Sequence, residues 1–295
     1  AGIVSPTAVK KHGKGFSTNP VGTGPFRFER WIRGQQIVLA ANEDHWRGRP
    51  HLDRVVFVPV AESATRIQQL VRGEIHMADN LPPAALDELA KTPGLTVPEE
   101  ISMNVAYLAL QTDIPPLDDV RVRNAIAMAL DKQALIRVGY AGHAEAAINL
   151  LPKAMWGHND EIKDRPFDVE VSRKLLQEAA ADKKFQLPLA LGLAVMSEPR
   201  PYMEQPLQVA AFVKDSLAAI GINLTIEPKP SDMHFARMMR GDYQIGLTGW
   251  TTDNGDPDNF LYSLLDPDNI SESGNNMSHY RNEKVHDLLL AGQRE

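Results

Sequence analysis

Three aspartates, Asp253, Asp256 and Asp258, follow a tryptophan in GWTTDNGDPDNF, residues 249–260. A single arginine, Arg200, stands between two prolines in SEPRPYMEQP, residues 197–206. Gly255 and Pro257 predict that the aspartate stretch is neither regular helix nor strand. Carboxylates on such a loop can pair with a cation, hold calcium, or divide into general acid and base. A calcium loop of the EF-hand type needs glycine at its sixth position and glutamate at its twelfth. Counted from Asp253, those positions are Asp258 and Leu264, and the pattern fails. Neighbouring carboxylates split their pKa values and could serve a hydrolase, although sequence neighbours on one loop seldom face each other across a substrate. Turn and helix-start capping accounts for Asp256 and Asp258, while for Asp253, beside an aromatic, capping competes with a binding role.

Arg200 follows an apolar stretch that reads as a buried strand and precedes a helix, the kind of strand end where ligands of α/β sheets collect. Prolines on both sides restrict the backbone and aim the side chain. Its planar fork can take a carboxylate through two parallel hydrogen bonds. The alternative is an arginine that is solvated or paired with Glu198.

Other chemistry is sparse. There is no HExxH, no GxSxG and no phosphate loop; HGKGFST, residues 12–18, has Gly15 where that loop needs serine or threonine. His45 and His51 are too far apart for helical ligand spacing and fall in a turn-rich stretch, so no metal site is expected. No cysteine is present, which excludes disulfides and thiol nucleophiles but leaves the compartment open. A net charge of -7 argues against a nucleic-acid footprint. The longest apolar run, residues 187–196, is roughly half of a bilayer crossing.

The elements that must position these residues alternate between strand and helix. Glycine, proline and lysine dominate residues 1–34, which read as loop with one short strand near Phe26 to Trp31. Strands are expected over 36–41 and 55–60, a helix over 62–72 ended by Gly73, a short strand over 75–78, and a helix opened by Pro82 and Pro83. Residues 101–111 read as a long extended segment leading into one helix that carries Val122, Ile126, Ala129 and Leu130 on a face. A helix over 169–180, a strand over 187–195, a helix over 207–220 between Pro206 and Gly221, and a strand over 222–227 follow. The composition change near residue 103 marks a domain boundary. The chain starts without methionine or signal-peptide pattern and stops inside the helical pattern EKVHDLLLAGQRE, so both ends are expected to be cut.

NPVGTGPFRFERW at 19–31, DHWRGRPHLDRVVF at 44–57, PPLDDVRVRNAIAMALDK at 115–132 and NLLPKAMWG at 149–157 complete the pattern. Together with GWTTDNGDPDNF they resemble, in order, the periplasmic dipeptide and oligopeptide substrate-binding proteins of ABC importers, solute-binding family 5, and most closely its dipeptide-binding branch. The resemblance implies an α/β, two-lobed periplasmic-binding-protein fold with mixed sheets flanked by helices. Residues 1–28 would be the remnant of a small domain inserted in lobe one, 29–103 part of lobe one, and 104–295 lobe two, truncated at its C-terminus.

By the same resemblance, Asp253 would take a peptide's ammonium and Arg200 its carboxylate. Trp250 would wall the side-chain pocket, and Tyr107 would lie near the lobe junction, against a plain core role for that tyrosine. The implied protein is not an enzyme, needs no cofactor, binds no nucleic acid and acts as a monomer. It would sit in the periplasm, or outside the cell on a lipid anchor, and hand its peptide to an ABC permease in the membrane. Relatives of the branch imply alternatives on the same fold: a longer peptide, haem or a nickel complex.

Overall fold

A computed structural model describes residues 3–294. Ala1, Gly2 and Glu295, the outermost positions of the regions 1–28 and 104–295, lie outside the described residues. The fold is mixed α/β, with sheets flanked by helices. The chain divides into two compact units, Ala1–Leu81 and Pro82–Glu295.

The first unit opens with α1, Pro6–His12, in a stretch expected to be loop. Ser5 caps it by accepting from the Ala8 amide at 3.3 Å, and Pro6 fills the first helical position, where its missing N–H costs nothing. Strands β1 (Phe26–Ile32), β2 (Gln36–Ala41) and β3 (Arg54–Phe57) form an antiparallel sheet in that order, β3 being shorter than the expected 55–60. Helix α2 covers Ser63–Val71. The strand expected at 75–78 does not form. Those residues follow a turn in which the Ile75 amide reaches the Gln69 carbonyl, and Arg66 of α2 donates to the carbonyls of Val60 at 2.6 Å and Asn80 at 2.8 Å. Among the described residues no strand pairs with this tetrapeptide, so it has no ladder to join.

The second unit is built on a four-stranded mixed sheet. Its elements are α3 (Leu86–Ala90), β4 (Asn104–Leu110), α4 (Val120–Met128), α5 (Lys132–Tyr140), α6 (Val169–Lys183), β5 (Leu189–Met196), α7 (Pro206–Ala218), β6 (Ile222–Lys229), α8 (Ser231–Met239), β7 (Ile245–Thr251), α9 (Asp258–Leu265) and α10 (Glu283–Gly292). The strand order is β4-β7-β5-β6, with β4 antiparallel to β7 and the other neighbours parallel. The single helix expected after residue 115 is two, because Asp131 accepts from the Ala134 amide at 3.0 Å and starts α5 afresh.

Pleating sends Leu191, Leu193 and Val195 of β5 into the main core with Val209, Val213 and Leu217 of α7 and Val122 and Ile126 of α4. Ala194 meets Met238 of α8 and Tyr243 on another face of the sheet. Fully burying each large side chain contributes about 1.5–3 kcal/mol, so helices on both faces fix the sheet that carries the charged loops. Among the described residues no helix is long and apolar enough to cross a membrane.

Strand β7 was not foreseen, and GWTTDNGDPDNF is not irregular throughout. Gly249, Trp250 and Thr251 finish β7, and Asp258, Asn259 and Phe260 begin α9. Only residues 252–257 are loop.

Candidate ligand-binding site

Arg200 and Asp253 leave the same end of the sheet. Strands β5 and β7 are parallel neighbours, with Leu193 opposite Ile245 and Ala194 opposite Gly246. Both strands therefore end on one edge, β5 at Met196 and β7 at Thr251. Arg200 lies four residues past the first end and Asp253 two past the second. This is the carboxyl edge, where open α/β sheets gather ligands.

The Arg200 loop is held from three directions. Arg200 and Met203 exchange backbone hydrogen bonds of 3.0 and 2.8 Å, which closes a tight turn around Pro201. Glu198 accepts from the Ser231 amide and hydroxyl, both at 2.8 Å, and so fastens the loop to the start of α8. That bonding holds the Glu198 carboxyl below its ordinary pKa. Tyr140 donates to the Tyr202 carbonyl at 2.7 Å. Glu198 is thus spent on Ser231, and among the described residues Arg200 makes no ion pair. Its guanidinium carbon lies 5.2 Å from the centre of the Phe235 ring, a cation–π contact. The side chain is half-buried, with Nε enclosed and without a partner.

Asp253 sits exposed on the companion loop. The loop's own polar groups shape it: Thr252 Oγ1 accepts from the Gly255 amide at 2.9 Å, and Asn254 Oδ1 from the Asp256 amide at 3.0 Å. Asn259 Oδ1 accepts from Trp250 Nε1 at 2.9 Å and from the Asp253 amide at 3.3 Å. Asp256 caps the Asp258 amide at 2.9 Å, and Asp258 accepts from Gln293 at 3.0 Å. Two of the three aspartates are therefore turn and helix-start groups. Among the described residues the Asp253 carboxylate takes none of these bonds and no ion pair.

Trp250 and Tyr107 belong to neighbouring positions of one strand pair, Trp250 opposite Val105 and Tyr107 opposite Thr248. Both are half-buried. Trp250 packs on the apolar cluster of Val105, Leu151, Met155, Phe260 and Leu264. Tyr107 touches that cluster and the one around Met238, and burial pushes its hydroxyl pKa well up. It also lines a cleft of about 990 Å³ along β4, with Tyr202, Leu150 and His158, a volume at the upper end for a small-ligand pocket. Arg200, Trp250 and Asp253 stand outside the walls of that cleft.

Sequence reasoning missed the residues that hold the charged pair: Asn259, the Glu198 and Ser231 bond, Tyr202, and the Phe235 and His234 rings of α8. Asn259, Glu198 and Tyr202 lie within the two quoted loops; Ser231, His234 and Phe235 left no signal. One further group could ligate a cation, Asp266, Asp268 and His286, whose ligand atoms lie within 4.8 Å of one another. Its buried member is already engaged: Asp266 accepts from the Asp268 amide at 2.9 Å and from His286 Nδ1 at 2.8 Å, which raises the histidine's pKa.

The model of the bacterial extracellular solute-binding proteins, family 5 middle region, matches residues 2–272. A dipeptide-binding protein of Escherichia coli is 32% identical over 92% of this chain and 50% of its own length. A heme-binding protein A of Haemophilus influenzae is 35% identical over 92% of this chain and 49% of its own. An ABC transporter-associated periplasmic binding protein of Helicobacter pylori, solved with the peptide STSA, superposes with a TM-score of 0.83 at 29% identity, over 99% of this chain and 56% of that one. The chain spans about half the length of the curated relatives it matches.

Proposed function

This chain belongs to the bacterial extracellular solute-binding proteins of family 5, and from that premise we propose that it serves an ABC importer by capturing dipeptides at their charged termini. Asp253 holds the ammonium and Arg200 the carboxylate. Trp250 walls the side-chain pocket, and Tyr107 belongs to the same ligand-binding site. The observation that carries the assignment is that one anion and one cation leave adjacent parallel strands on the same edge, neither spent on an ion pair among the described residues. A charge removed from water without a partner costs several kcal/mol, so a ligand bearing both charges is favoured over one bearing either. Two fixed charges also measure length, since a longer peptide carries one terminus past its partner.

The protein acts as a binder and not as a catalyst, as a monomer in the periplasm, and delivers its ligand to a membrane permease. The lobe assignment of residues 29–103 and 104–295, with 1–28 as the tail of an inserted domain, is part of the same proposal. The relative of Haemophilus influenzae, whose printed name is for haem, supports a second reading in which the same fold takes that solute.

Calorimetric titration of the full-length protein separates them. Alanyl-phenylalanine is expected to bind, and its N-acetyl and C-amide derivatives to bind at least tenfold more weakly, on the order of 1.4 kcal/mol or more for each masked charge. Equal binding of all three, or binding of haem alone, overturns the dipeptide assignment.

A further inference from the structure

The two outer strands of the four-stranded sheet are built differently. The order β4-β7-β5-β6 leaves β6 and β4 as its edges. Strand β6, INLTIEPK, ends on Glu227, Pro228 and Lys229. Charges and proline are the devices that keep a permanent edge from pairing with other strands. Strand β4, NVAYLAL, has no charge and no proline. By composition it is an interior strand standing at an edge.

The register shows which of its backbone groups are free. Strands β4 and β7 pair from Asn104 opposite Thr251 to Leu110 opposite Ile245. The same register continued outward sets Met103 opposite Thr252 and Gln111 opposite Gln244. There the Thr252 amide donates to the Met103 carbonyl at 3.2 Å, and the Gln111 amide to the Gln244 carbonyl at 3.0 Å. These are hydrogen-bonded pairs of an antiparallel ladder, which alternate with pairs that are not bonded. Val105, Tyr107 and Ala109 therefore bond to β7, while Asn104, Ala106, Leu108 and Leu110 turn their N–H and C=O groups the other way. Among the described residues no strand or side chain pairs with those four.

The free groups face the cleft of about 990 Å³. Val105 and Tyr107, whose side chains leave one face of the sheet, line it together with Ala106, Leu108 and Leu110, whose side chains leave the other, so the cleft follows the edge of the strand. The four residues are half-buried, a place where backbone groups without partners are costly. A strand laid about 4.8 Å from β4 would satisfy all of them at once. This chain spans about half the length of the curated relatives it matches and 56% of the solved one, so a protein of their length has nearly as much chain again outside residues 1–295. Helix α10 leads towards β4: Gln293 donates to Asp258 of α9 at 3.0 Å, and α9 buries Phe260 and Leu264 in the cluster that holds Val105.

We propose that in the full-length protein the segment following α10 enters this cleft as a strand and pairs with Asn104, Ala106, Leu108 and Leu110, making β4 an interior strand. The sheet assigned to residues 104–295 is then completed by chain outside them. The proposal holds whichever solute Arg200 and Asp253 take.

Two measurements on the full-length protein test it. Hydrogen exchange read residue by residue by NMR, in dilute solution without added peptide, compares the amides of Ala106 and Leu108 with those of Val105 and Tyr107. Protection of the two sets within about tenfold is expected, because both lie in ladders. Exchange of Ala106 and Leu108 faster by about a hundredfold or more means an open edge and overturns the proposal. Protection that appears only at high protein concentration, the mark of a second copy, also overturns it, as does protection only with alanyl-phenylalanine present, the mark of a ligand strand. Photoreactive p-benzoylphenylalanine in place of the exposed Glu100, which lines the cleft, identifies the occupant. A cross-link within one molecule to a peptide beyond residue 295 is expected; cross-links confined to residues 1–295, or made to a second molecule, overturn the proposal.

Discussion

Gly249 lies directly against the Tyr202 ring: a Cβ built at 249 would stand 2.5 Å from Tyr202 Cγ and 2.6 Å from the Val105 carbonyl oxygen. The strand that delivers Trp250 and the loop that delivers Arg200 are thereby in contact, because position 249 has no side chain. Tyr140, which holds the Tyr202 carbonyl, backs the loop from α5. Arg200 and Trp250 are therefore coupled through packing as well as through topology.

Gly249→Ala is expected to disturb both. The Val105 oxygen belongs to the backbone of β4, paired along its whole length with β7, and cannot turn aside as a flexible side chain would. The strain falls on Tyr202 and so on the Arg200 turn. Overpacking of this kind costs typically 1–3 kcal/mol. Urea unfolding should show a lower midpoint with unchanged slope, and dipeptide titration a weaker affinity. A variant with wild-type midpoint and affinity would show that Tyr202 does not couple the two loops.

Asn259 is expected to act on the ligand through geometry alone. Its single amide oxygen receives the Trp250 indole and the Asp253 amide, so it joins the pocket wall to the charged residue. Asn259→Ala frees both donors in a half-exposed place, where water can replace the lost acceptor. The expected result is about tenfold weaker dipeptide binding with a melting temperature little changed, since an exposed hydrogen bond contributes only about 0.5–1.5 kcal/mol to folding. A large fall in melting temperature with intact affinity would assign Asn259 to the fold instead.

How far the sequence revealed these relationships depends on the range of the interactions involved. Strand β2 is bounded at Gln36 and Ala41 as its apolar pattern predicts, and α7 begins at Pro206 as expected, because these signals are local. Strand β7 escaped notice because Gly246 and Gly249 break the β-forming run IGLTGWT. Neither glycine makes a turn; each leaves room for a partner distant in sequence, Met238 for the first and Tyr202 for the second. Arg200 and Asp253 were legible by residue type and by the loops around them. Phe235 and His234 were not, since α8 is brought to Arg200 by contacts distant in sequence, among them Met238 against β7 and the bond from Ser231 to Glu198. The single helix expected after residue 115 failed for a local reason that was readable, an aspartate in capping position at 131.

Asp119 predicts an acid-sensitive start to α4. It caps the Arg121 amide at 2.8 Å and takes the Arg121 guanidinium at 2.7 Å, and this pairing lowers its pKa from 3.8 to about 2. A carboxyl whose folded pKa is depressed binds its proton more weakly when folded than when unfolded. Its stabilisation is complete above the unfolded pKa near 3.8 and is lost as pH falls towards 2. Asp119→Asn retains a capping oxygen and loses the charge. The stability difference between the parent and this variant should be constant above about pH 5 and shrink steadily between pH 4 and pH 2. A difference that stays constant through that window would show that the charge of Asp119 contributes nothing to folding.

Masking a ligand charge and removing its protein partner should be equivalent operations. Against free alanyl-phenylalanine, Asp253→Asn and Arg200→Gln are each expected to cost about 2–5 kcal/mol, because each leaves one ligand charge enclosed without a counter-charge. Against the N-acetyl derivative the ammonium no longer exists, so Asp253→Asn should add little, while Arg200→Gln should still show its full effect. Against the C-amide the order reverses. The two crossed comparisons form a double-mutant cycle between protein and ligand, and they isolate each contact from any general loss of fold, which would weaken all three ligands together. If Asp253→Asn weakens the acetylated and the free dipeptide to the same degree, the ammonium is held elsewhere; the same logic applied to Arg200→Gln and the amide decides the carboxylate.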